Sequence, residues 1–254
     1  MSIKNGIMTL NFRQRSLLFA KISSIAYLNK ENATKQAKKL GFTTIEYYDV
    51  EGAQSYRFMN NRDLVIACRG TEPTQYADIK ADANALPVIA ETVSRVHKGF
   101  KDQVDMLWPA IREDLTRTQN KNKDVWFTGH SLGAAMATIA TSRLQDKVDA
   151  LYTYGSPRTG TKKFVTSIRT PHYRHVNNND MVTCVPFALL GYRHNASPRY
   201  INYYGNIRAC TKWQRTKDKW RGRWRALKKG MPFDGAYDHG MNHYCKYTEK
   251  NDDK

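Results

Sequence analysis

The residues best suited to do chemistry form the sequence Gly-His-Ser-Leu-Gly at positions 129–133. An apolar run, 125–128, precedes it, and a run of small residues follows it from Ala134. A serine at a sharp turn from a strand into a helix crowds its neighbours, so glycines without a Cβ are needed on both sides. The pattern therefore predicts that Ser131 is a nucleophile, with the backbone N–H of Leu132 at the helix start pointing to where an oxyanion would form.

A serine hydroxyl is a weak nucleophile and needs a base, which is oriented in turn by a carboxylate. For a serine on such a turn, the usual chain order is serine, acid, histidine. Asp180 is the candidate acid, because it follows a strand-like segment and precedes the apolar pair Met181-Val182. That position is at the carboxyl edge of a predicted parallel sheet, where ligands bind. An ordinary turn aspartate is the alternative interpretation.

Three histidines follow Asp180 in the chain and are candidates for the base: His194, His239 and His243. His239 and His243 are four residues apart and would share one face of a helix. Spacing alone does not decide among the three. His130, beside the serine, is expected to point to the opposite side of the incoming strand and to have a structural role.

The segments around these residues alternate between helical and strand-like patterns. An alternation of strand, helix, strand, helix and strand along the chain implies a parallel sheet with crossover helices. Helical spacing occurs at 11–28, 32–40, where Gly41 is a suitable stop, 99–115, with Pro109 as an expected kink, and 161–169. Strand-like patterns occur at 43–48, 54–59 and 63–68, which predict an antiparallel meander, and at 150–154 and 173–176.

Length and composition favour one domain covering residues 1–254, because no linker, low-complexity tract or internal repeat interrupts the chain. No apolar run approaches the roughly 18 residues of a membrane span. Residues 1–30 are interpreted as a helix of the fold rather than a signal peptide, because Lys21 interrupts the apolar run.

The four cysteines, Cys68, Cys184, Cys210 and Cys245, show no C-x-x-C spacing. They predict reduced, mostly buried thiols in a cytoplasmic chain, or in one exported without a recognisable signal peptide, and leave a Cys210–Cys245 disulfide open. No group of residues has the spacing of metal ligands, and a serine mechanism needs no cofactor.

The formal net charge of +18 implies an acidic counterpart: nucleic acid, anionic lipid or acidic protein. Residues 211–231 hold nine basic residues against the single acidic Asp218, and so carry +8 of that charge. Tryptophans recur in this segment at helical spacing, which fits an interfacial helix on anionic phospholipid. In the alternative, the tryptophans pack on the core and the cations are solvated. The candidate lipid-surface residues are Trp213, Trp220, Arg221, Arg223, Trp224 and Arg225.

Five short blocks of the chain resemble, in order, those of the class 3 (fungal-type) lipases. They are Arg-Gly-Thr at 69–71, Val-His-Lys-Gly-Phe at 96–100, the serine block, Tyr-Gly-Ser-Pro-Arg-Thr-Gly at 154–160 and Asn-Asp-Met-Val at 179–182. The resemblance covers about residues 20–244, and an ordered series is more specific than any single motif.

This resemblance implies an α/β-hydrolase fold, with a mostly parallel central sheet, an antiparallel N-terminal meander and helices on both faces. It also implies hydrolysis of carboxylic esters, typically of triacylglycerols, phospholipids or galactolipids. By position, Ser131 resembles the family nucleophile, Asp180 the acid and His239 the base. Thr71 resembles the residue whose N–H, with that of Leu132, lines the oxyanion hole, and its hydroxyl is a third candidate donor. His194 matches a family histidine that is usually not catalytic.

The chain also departs from the family pattern. Cys68 replaces a frequent aromatic residue, and 76–78 replaces a segment that commonly contains tryptophan, so the acyl pocket is undetermined. The family lid is expected between Thr71 and Val96. The apolar stretch 85–90 is suited to cover a site there, or else forms a buried strand or helix turn.

Two classes of function therefore remain at this point. The complete serine, acid and histidine series favours a lipid ester hydrolase of the lipase or phospholipase A type. The alternative is a hydrolase-fold binding protein with weak or lost catalysis, whose basic, tryptophan-rich surface binds anionic lipid or nucleic acid. Nucleic acid is the less favoured partner, because no nucleic-acid-binding motif is visible.

Overall fold

The computed structural model describes residues 3, 5–70, 86–117, 120, 122–228, 230 and 234–252. Its strands are β1 Thr44–Val50, β2 Ala53–Met59, β3 Asp63–Cys68, β4 Pro87–Ile89, β5 Arg95–His97, β6 Asp124–His130, β7 Ala150–Tyr154, β8 Gly160–Thr161, β9 His172–Asn177, β10 Tyr192–Arg193, β11 Pro198–Ile201 and β12 Ile207–Arg208. Its α-helices are α1 Phe12–Ile25, α2 Lys30–Leu40, α3 Lys98–Thr116, α4 Leu132–Leu144, α5 Lys162–Ser167, α6 Lys212–Lys228, α7 Asp234–Tyr237 and α8 Met241–Asp252.

The central sheet has the strand order β1-β2-β3-β6-β7-β9-β11-β12. Strands β1 to β3 form an antiparallel meander. Strands β3, β6, β7, β9 and β11 are parallel, and β12 closes the edge in the antiparallel direction. The predicted mostly parallel sheet with an antiparallel N-terminal meander is therefore confirmed. The carboxyl ends of the parallel strands meet at one edge, which gathers the candidate site residues.

Alternate residues of β3 pack into two separate cores. Val65 and Ala67 belong to the core under α1 and α8, whereas Leu64 and Ile66 belong to the core under α3 and α4. A strand buried on both faces needs apolar residues at every position, which is why 64–68 forms a continuous apolar run. Helices therefore cover both faces of the sheet, as predicted.

The helix boundaries follow local signals in the sequence. Asn11 caps α1 in a capping box with Gln14, and Gly41 ends α2 in the left-handed conformation with φ 104°. Pro109 lies inside α3, which runs as one helix from Lys98 to Thr116. Among the described helices, none is long and apolar enough to cross a membrane.

A smaller sheet, with the order β10-β8-β5-β4, lies beside the central one. The described part of the predicted covering stretch 85–90 includes edge strand β4, with Leu86 and Ile89 strongly exposed. It is therefore neither a buried strand nor a helix turn. Residue 85 and the rest of the expected lid, including 76–78, lie outside the described residues.

All four cysteines are free thiols, so the disulfide left open between Cys210 and Cys245 is not formed. The expectation of mostly buried thiols is wrong. Cys68 is buried in β3, but Cys210 and Cys245 are partly exposed and Cys184 is exposed. Cys184 is the last residue of the short 3₁₀ turn Val182–Cys184, which follows the loop that carries Asp180.

Candidate active site

Ser131 lies on the sharp turn between β6 and α4. Its backbone has φ 56° and ψ −130°, a conformation that is strained for any residue other than glycine. A Cβ on Gly129 would collide with the backbone of Gly133, and a Cβ on Gly133 would collide with the backbone of Cys68 in β3. Both glycines are therefore required where the start of α4 crosses the sheet, as the motif predicts.

The structure brings three of the predicted site residues together. The Oγ atom of Ser131 lies 2.9 Å from Nε2 of His239, and Nδ1 of His239 lies 2.9 Å from both carboxylate oxygens of Asp180. All three side chains are buried. A carboxylate only accepts hydrogen bonds, so Nδ1 of His239 carries the proton and the lone pair of Nε2 faces the serine hydroxyl.

The Asp180 carboxylate is held in its charged form. Burial raises its pKa, but the charge interaction with His239 and the hydrogen bonds from His239 and Tyr244 outweigh burial, so the pKa is lowered. The backbone N–H of Val182 also donates to Oδ1, at 2.9 Å. Asp180 is therefore ionised near neutral pH and keeps the imidazole in one tautomer.

Tyr244, which the sequence analysis missed, supports the acid directly. Its hydroxyl donates to Oδ2 of Asp180 at 2.5 Å and accepts the backbone N–H of Asn177 at 3.0 Å. Burial, followed by the charge of Asp180, raises the tyrosine pKa well above its ordinary value, so the hydroxyl remains a donor. No sequence pattern distinguishes Tyr244 from the other 14 tyrosines, because its role depends on where α8 packs.

His130 supports the backbone of the candidate base. Its Nε2 lies 2.7 Å from the carbonyl oxygen of His239, which can only accept, so Nε2 donates and Nδ1 accepts from the Tyr27 hydroxyl at 2.8 Å. Burial and then repulsion by His239 lower the pKa of His130 to about 3. The ring is therefore neutral, and it stacks on that of His239 with the centroids 4.5 Å apart.

Gly155, at the end of β7, leaves room for the acid and the base to meet. Its φ is 59°, and a Cβ built there would lie 2.8 Å from Oδ2 of Asp180 and 2.8 Å from Nδ1 of His239. The Tyr-Gly-Ser-Pro block marks this position in the sequence, but only the structure shows what the glycine makes room for.

The other two candidate histidines lie elsewhere. His194 donates from Nε2 to the carbonyl oxygen of Thr183 at 2.8 Å, and its pKa is lowered well below the ordinary value by burial and then by Arg174. His243 packs its ring on Tyr237, with the centroids 4.1 Å apart. Neither has a described contact with Ser131 or Asp180.

The predicted oxyanion hole is described only in part. Leu132 is the first residue of α4, so its N–H has no acceptor within the helix. Thr71 lies outside the described residues. Its neighbour Gly70 passes close to Ser131, since a Cβ on Gly70 would lie 3.2 Å from Cβ of Ser131.

Helix α6 exposes the predicted lipid-surface residues. Trp213, Trp220 and Trp224 are each more than 60% exposed, so the alternative that these tryptophans pack on the core is wrong. Arg221, Arg223 and Arg225 are exposed on the same helix. Met231 lies outside the described residues.

The opposite face of α6 holds the loop that carries Asp180. The Asn178 side chain donates to Oδ2 of Asp218 at 2.8 Å, and that of Asn179 donates to the carbonyl oxygen of Lys219 at 3.2 Å. Gly222 permits this approach, because a Cβ there would lie 2.5 Å from Oδ1 of Asn178. The basic helix is thus packed against the loop that carries the candidate acid, a relation that its charge and spacing do not reveal.

The protein has the α/β-hydrolase fold. This fold is defined by the strand order of the central sheet, by the sharp turn at Ser131 and by the position of the site at the carboxyl edge of the sheet. The family model Lipase (class 3) matches residues 65–190, and the chain belongs to the class 3 lipase family. Toxin TseL of Vibrio cholerae serotype O1 is 31% identical over 188 residues, which are 56% of this chain and 29% of the toxin. A lipase of Rhizomucor miehei is 28% identical over 228 residues, which are 82% of this chain and 59% of the lipase.

The chain therefore spans less than two thirds of the length of either curated relative. A solved structure of Rhizomucor miehei triacylglyceride lipase superposes with a TM-score of 0.63 at 23% identity, covering 76% of this chain and 82% of that chain. This likeness shows the shared fold.

Proposed function

We propose that the protein hydrolyses carboxylic esters of lipids through an acyl-enzyme formed on Ser131. The observation that carries the proposal is the continuous hydrogen-bonded series from Ser131 through His239 to Asp180, with each step 2.9 Å long. Family membership supports the reaction type, and the names of relatives in Rhizomucor and Fusarium, a lipase and a secreted mono- and diacylglycerol lipase, support lipid esters as the substrate class.

In the first half-reaction, Nε2 of His239 takes the hydroxyl proton as Oγ of Ser131 bonds to the ester carbonyl carbon. The oxyanion is stabilised by the N–H of Leu132 and, by resemblance, by the N–H and hydroxyl of Thr71. The imidazolium then protonates the leaving alkoxide oxygen, so an alcohol departs and an acyl ester remains. Water then loses its proton to the same nitrogen and attacks the acyl carbon. As the bond from that carbon to Oγ of Ser131 breaks, the imidazolium returns the proton to Oγ, and a carboxylic acid departs. Asp180 stabilises the imidazolium in both halves.

The test is labelling by a fluorophosphonate, followed by product mass spectrometry on a panel of triacylglycerol, diacylglycerol, phospholipid and a soluble nitrophenyl ester. We expect the wild type to be labelled and to release fatty acid from at least one lipid, and Ser131→Ala to lose both properties by several powers of ten. The panel separates a lipase from a phospholipase A. Unlabelled wild type with no ester turnover would leave the hydrolase-fold binding protein as the better description.

We also propose that the exposed face of α6 docks on anionic membrane. Trp213, Trp220, Trp224 and Leu227 fall within roughly 60° of arc around the helix, and Asp218 and Gly222 lie roughly opposite. Cations flank this aromatic stripe: the ammonium of Lys217 lies 5.0 Å from the ring centroid of Trp213, and that of Lys228 lies 5.3 Å from that of Trp224. Aromatic rings between cations are the pattern of an interfacial helix.

Each cation near an anionic surface contributes about 1 kcal/mol, so three together contribute about 3 kcal/mol at low salt. We expect the wild type to sediment with phosphatidylglycerol vesicles in preference to phosphatidylcholine vesicles, less so as salt rises. Replacing Lys217, Arg223 and Lys228 by Gln should weaken this binding at least tenfold. The matched control replaces three exposed lysines of α2, Lys35, Lys38 and Lys39, by Gln. Equal weakening by both triple variants would show a general charge effect and refute α6 as the docking face.

The cytoplasmic location expected from the cysteine pattern gains no support from the relatives. Nucleic acid remains a less favoured partner of the same helix. A gel shift measures the affinity of the protein for DNA or RNA. Membrane would become the less favoured partner if the protein bound nucleic acid more tightly than anionic vesicles and if replacing Lys217, Arg223 and Lys228 removed that binding.

A further inference from the structure

A cavity of about 340 Å³ lies on a different face of α6 from the aromatic stripe. Among the described residues that line it, no aspartate or glutamate occurs. Its basic lining residues are Arg158, Arg174, Lys212, Arg215 and Lys219. We call this the cationic cavity. It contains none of the three candidate catalytic side chains, and so it is distinct from the site at Ser131.

Arg174 is a buried cation that lines this cavity. It lies on β9 and is only 5% exposed, yet its Nε donates merely to the carbonyl oxygen of Ala196, at 3.3 Å. A guanidinium has five N–H donors, and burying an unpaired charge is costly. Within the described part of the chain, no carboxylate forms an ion pair with Arg174. A buried arginine that lines a cavity without an acidic partner indicates a site for an anion.

A second arginine that lines the cavity, Arg158, is held in place by hydrogen bonds and carries the same sign of charge. Arg158 donates from Nη1 to the carbonyl oxygens of Cys184 and, at 2.8 Å, Pro186. Burial and then repulsion by Arg215 lower the pKa of Arg174 to about 10, and burial lowers the pKa of Arg158. The cavity therefore has a positive potential that the described side chains do not neutralise.

Asp218, the acidic residue of α6, does not neutralise the charge of the cationic cavity. Asp218 is not among the lining residues, and its carboxylate accepts hydrogen bonds from the Asn178 side chain, the Tyr200 hydroxyl and the backbone N–H of Tyr203. It also pairs with Arg221, at 3.6 Å. Three cations on α6 thus face the cavity without an ion pair in the described structure: Lys212, Arg215 and Lys219.

We propose that the cationic cavity binds a phosphate group, either as inorganic phosphate or as the phosphodiester of an anionic phospholipid head group. Three guanidinium groups offer paired N–H donors, which match the oxygens of a tetrahedral oxyanion. Five cations and no acid favour a phosphate over a singly charged carboxylate. The volume exceeds that of one phosphate, which leaves room for a group esterified to it.

The first experiment measures the affinity for inorganic phosphate by calorimetry, with chloride adjusted to constant ionic strength. We expect saturable binding to the wild type and about tenfold weaker binding to Arg174→Gln and to Arg215→Gln. Arg215 is the second variant because it is only partly buried, so its replacement leaves the fold intact even where that of Arg174 does not. The matched control is Arg112→Gln, an exposed arginine of α3 outside the cavity. Binding that is absent in the wild type, or equal in Arg215→Gln and the wild type, would overturn the proposal.

The second experiment distinguishes the two sources of phosphate. It uses monomeric dihexanoylphosphatidylglycerol with Ser131→Ala, so the ester stays intact and the result does not depend on hydrolysis. Competition between this lipid and inorganic phosphate, lost in Arg215→Gln, assigns the cavity to a lipid head group. Binding of inorganic phosphate alone assigns it to the free ion. Lipid binding that inorganic phosphate does not displace, and that survives Arg215→Gln, would place the lipid elsewhere and refute the head-group assignment.

Discussion

Replacing Tyr244 by Phe tests how the candidate acid is held. The substitution keeps the ring in its buried place and removes only the hydroxyl, which donates to Asp180 at 2.5 Å and accepts the N–H of Asn177 at 3.0 Å. Both contacts are buried, so water cannot replace them in the variant.

The expected magnitude follows from these two contacts. A hydrogen bond to a charged group contributes about 1.5–3 kcal/mol, and leaving a buried N–H unpaired costs about 1 kcal/mol or more. The free energy of unfolding should therefore fall by about 3 kcal/mol, which lowers Tm by about 6–12 °C in a chain of this length. Ester turnover should fall about tenfold, because His239 and Val182 still hold the carboxylate.

The pH dependence of stability should change as well. Burial raises the pKa of Asp180, but the charge and hydrogen bond of His239 and the hydrogen bond of Tyr244 lower it further, so the folded pKa lies below the ordinary value. Such a group stabilises the fold above its unfolded pKa of about 3.9, and this stability is lost as pH falls through the folded pKa. Without the Tyr244 hydroxyl the folded pKa rises. The variant should therefore lose less stability on acidification than the wild type, and that loss should be complete at a higher pH.

The measurement is urea unfolding between about pH 2 and pH 8, which includes the range below the unfolded pKa, together with turnover of a soluble nitrophenyl ester. The matched control is Tyr237→Phe, which removes a hydroxyl from a tyrosine that is 57% exposed and should change stability by less than about 0.5 kcal/mol. If Tyr244→Phe were as stable as Tyr237→Phe at every pH and retained full turnover, the inferred support of Asp180 by Tyr244 would be refuted.

Three further predictions concern the geometry of the site. His239→Ala should lower ester turnover by several powers of ten, as Ser131→Ala does, while His194→Ala retains most of it; the reverse order in folded variants would move the base to His194. Gly155→Ala should lower kcat about a hundredfold or more, because the new Cβ would lie 2.8 Å from Oδ2 of Asp180 and 2.8 Å from Nδ1 of His239. Gly52→Ala controls for backbone strain alone, because Gly52 has a φ of 85° and nothing lies within 4 Å of its Cβ. An equal loss of kcat in both variants would contradict a steric cause. Asp218→Asn should lower stability by about 2 kcal/mol and reduce turnover, since Asp218 binds the loop before the acid; unchanged unfolding in urea would contradict that coupling.

The elements with a local cause could be predicted from the sequence. The strands 63–68 and 150–154 match β3 and β7 residue for residue, because each strand is buried along its whole length and is therefore a short, mostly apolar run in the sequence. The end of α2 at Gly41 follows from the left-handed conformation that glycine adopts without strain. The helix predicted over 11–28 is longer than α1, which ends at Ile25. Apolar spacing does not show where packing against the sheet stops.

The sequence alone indicated Ser131 as the candidate nucleophile, for a steric reason. A serine between Gly129 and Gly133, entered from an apolar strand, fits only a turn in which neither neighbour has a Cβ. Asp180 followed from chain order and its place after a strand. The choice among the three histidines came from family resemblance, since spacing did not distinguish His239 from His194 or His243.

Tertiary structure alone decided what surrounds these residues. Tyr244 and His130 contact the candidate acid and base only because α8 and the turn before it pack against the sheet. The two contacts join residues that are 64 and 109 positions apart in the chain. The exposure of the α6 tryptophans, and the lack of an acidic partner for Arg174 among the residues that the structure describes, are likewise set by tertiary packing. A periodic pattern defines which residues share a face of a helix, but the energy of burial across the whole fold determines which face turns inward.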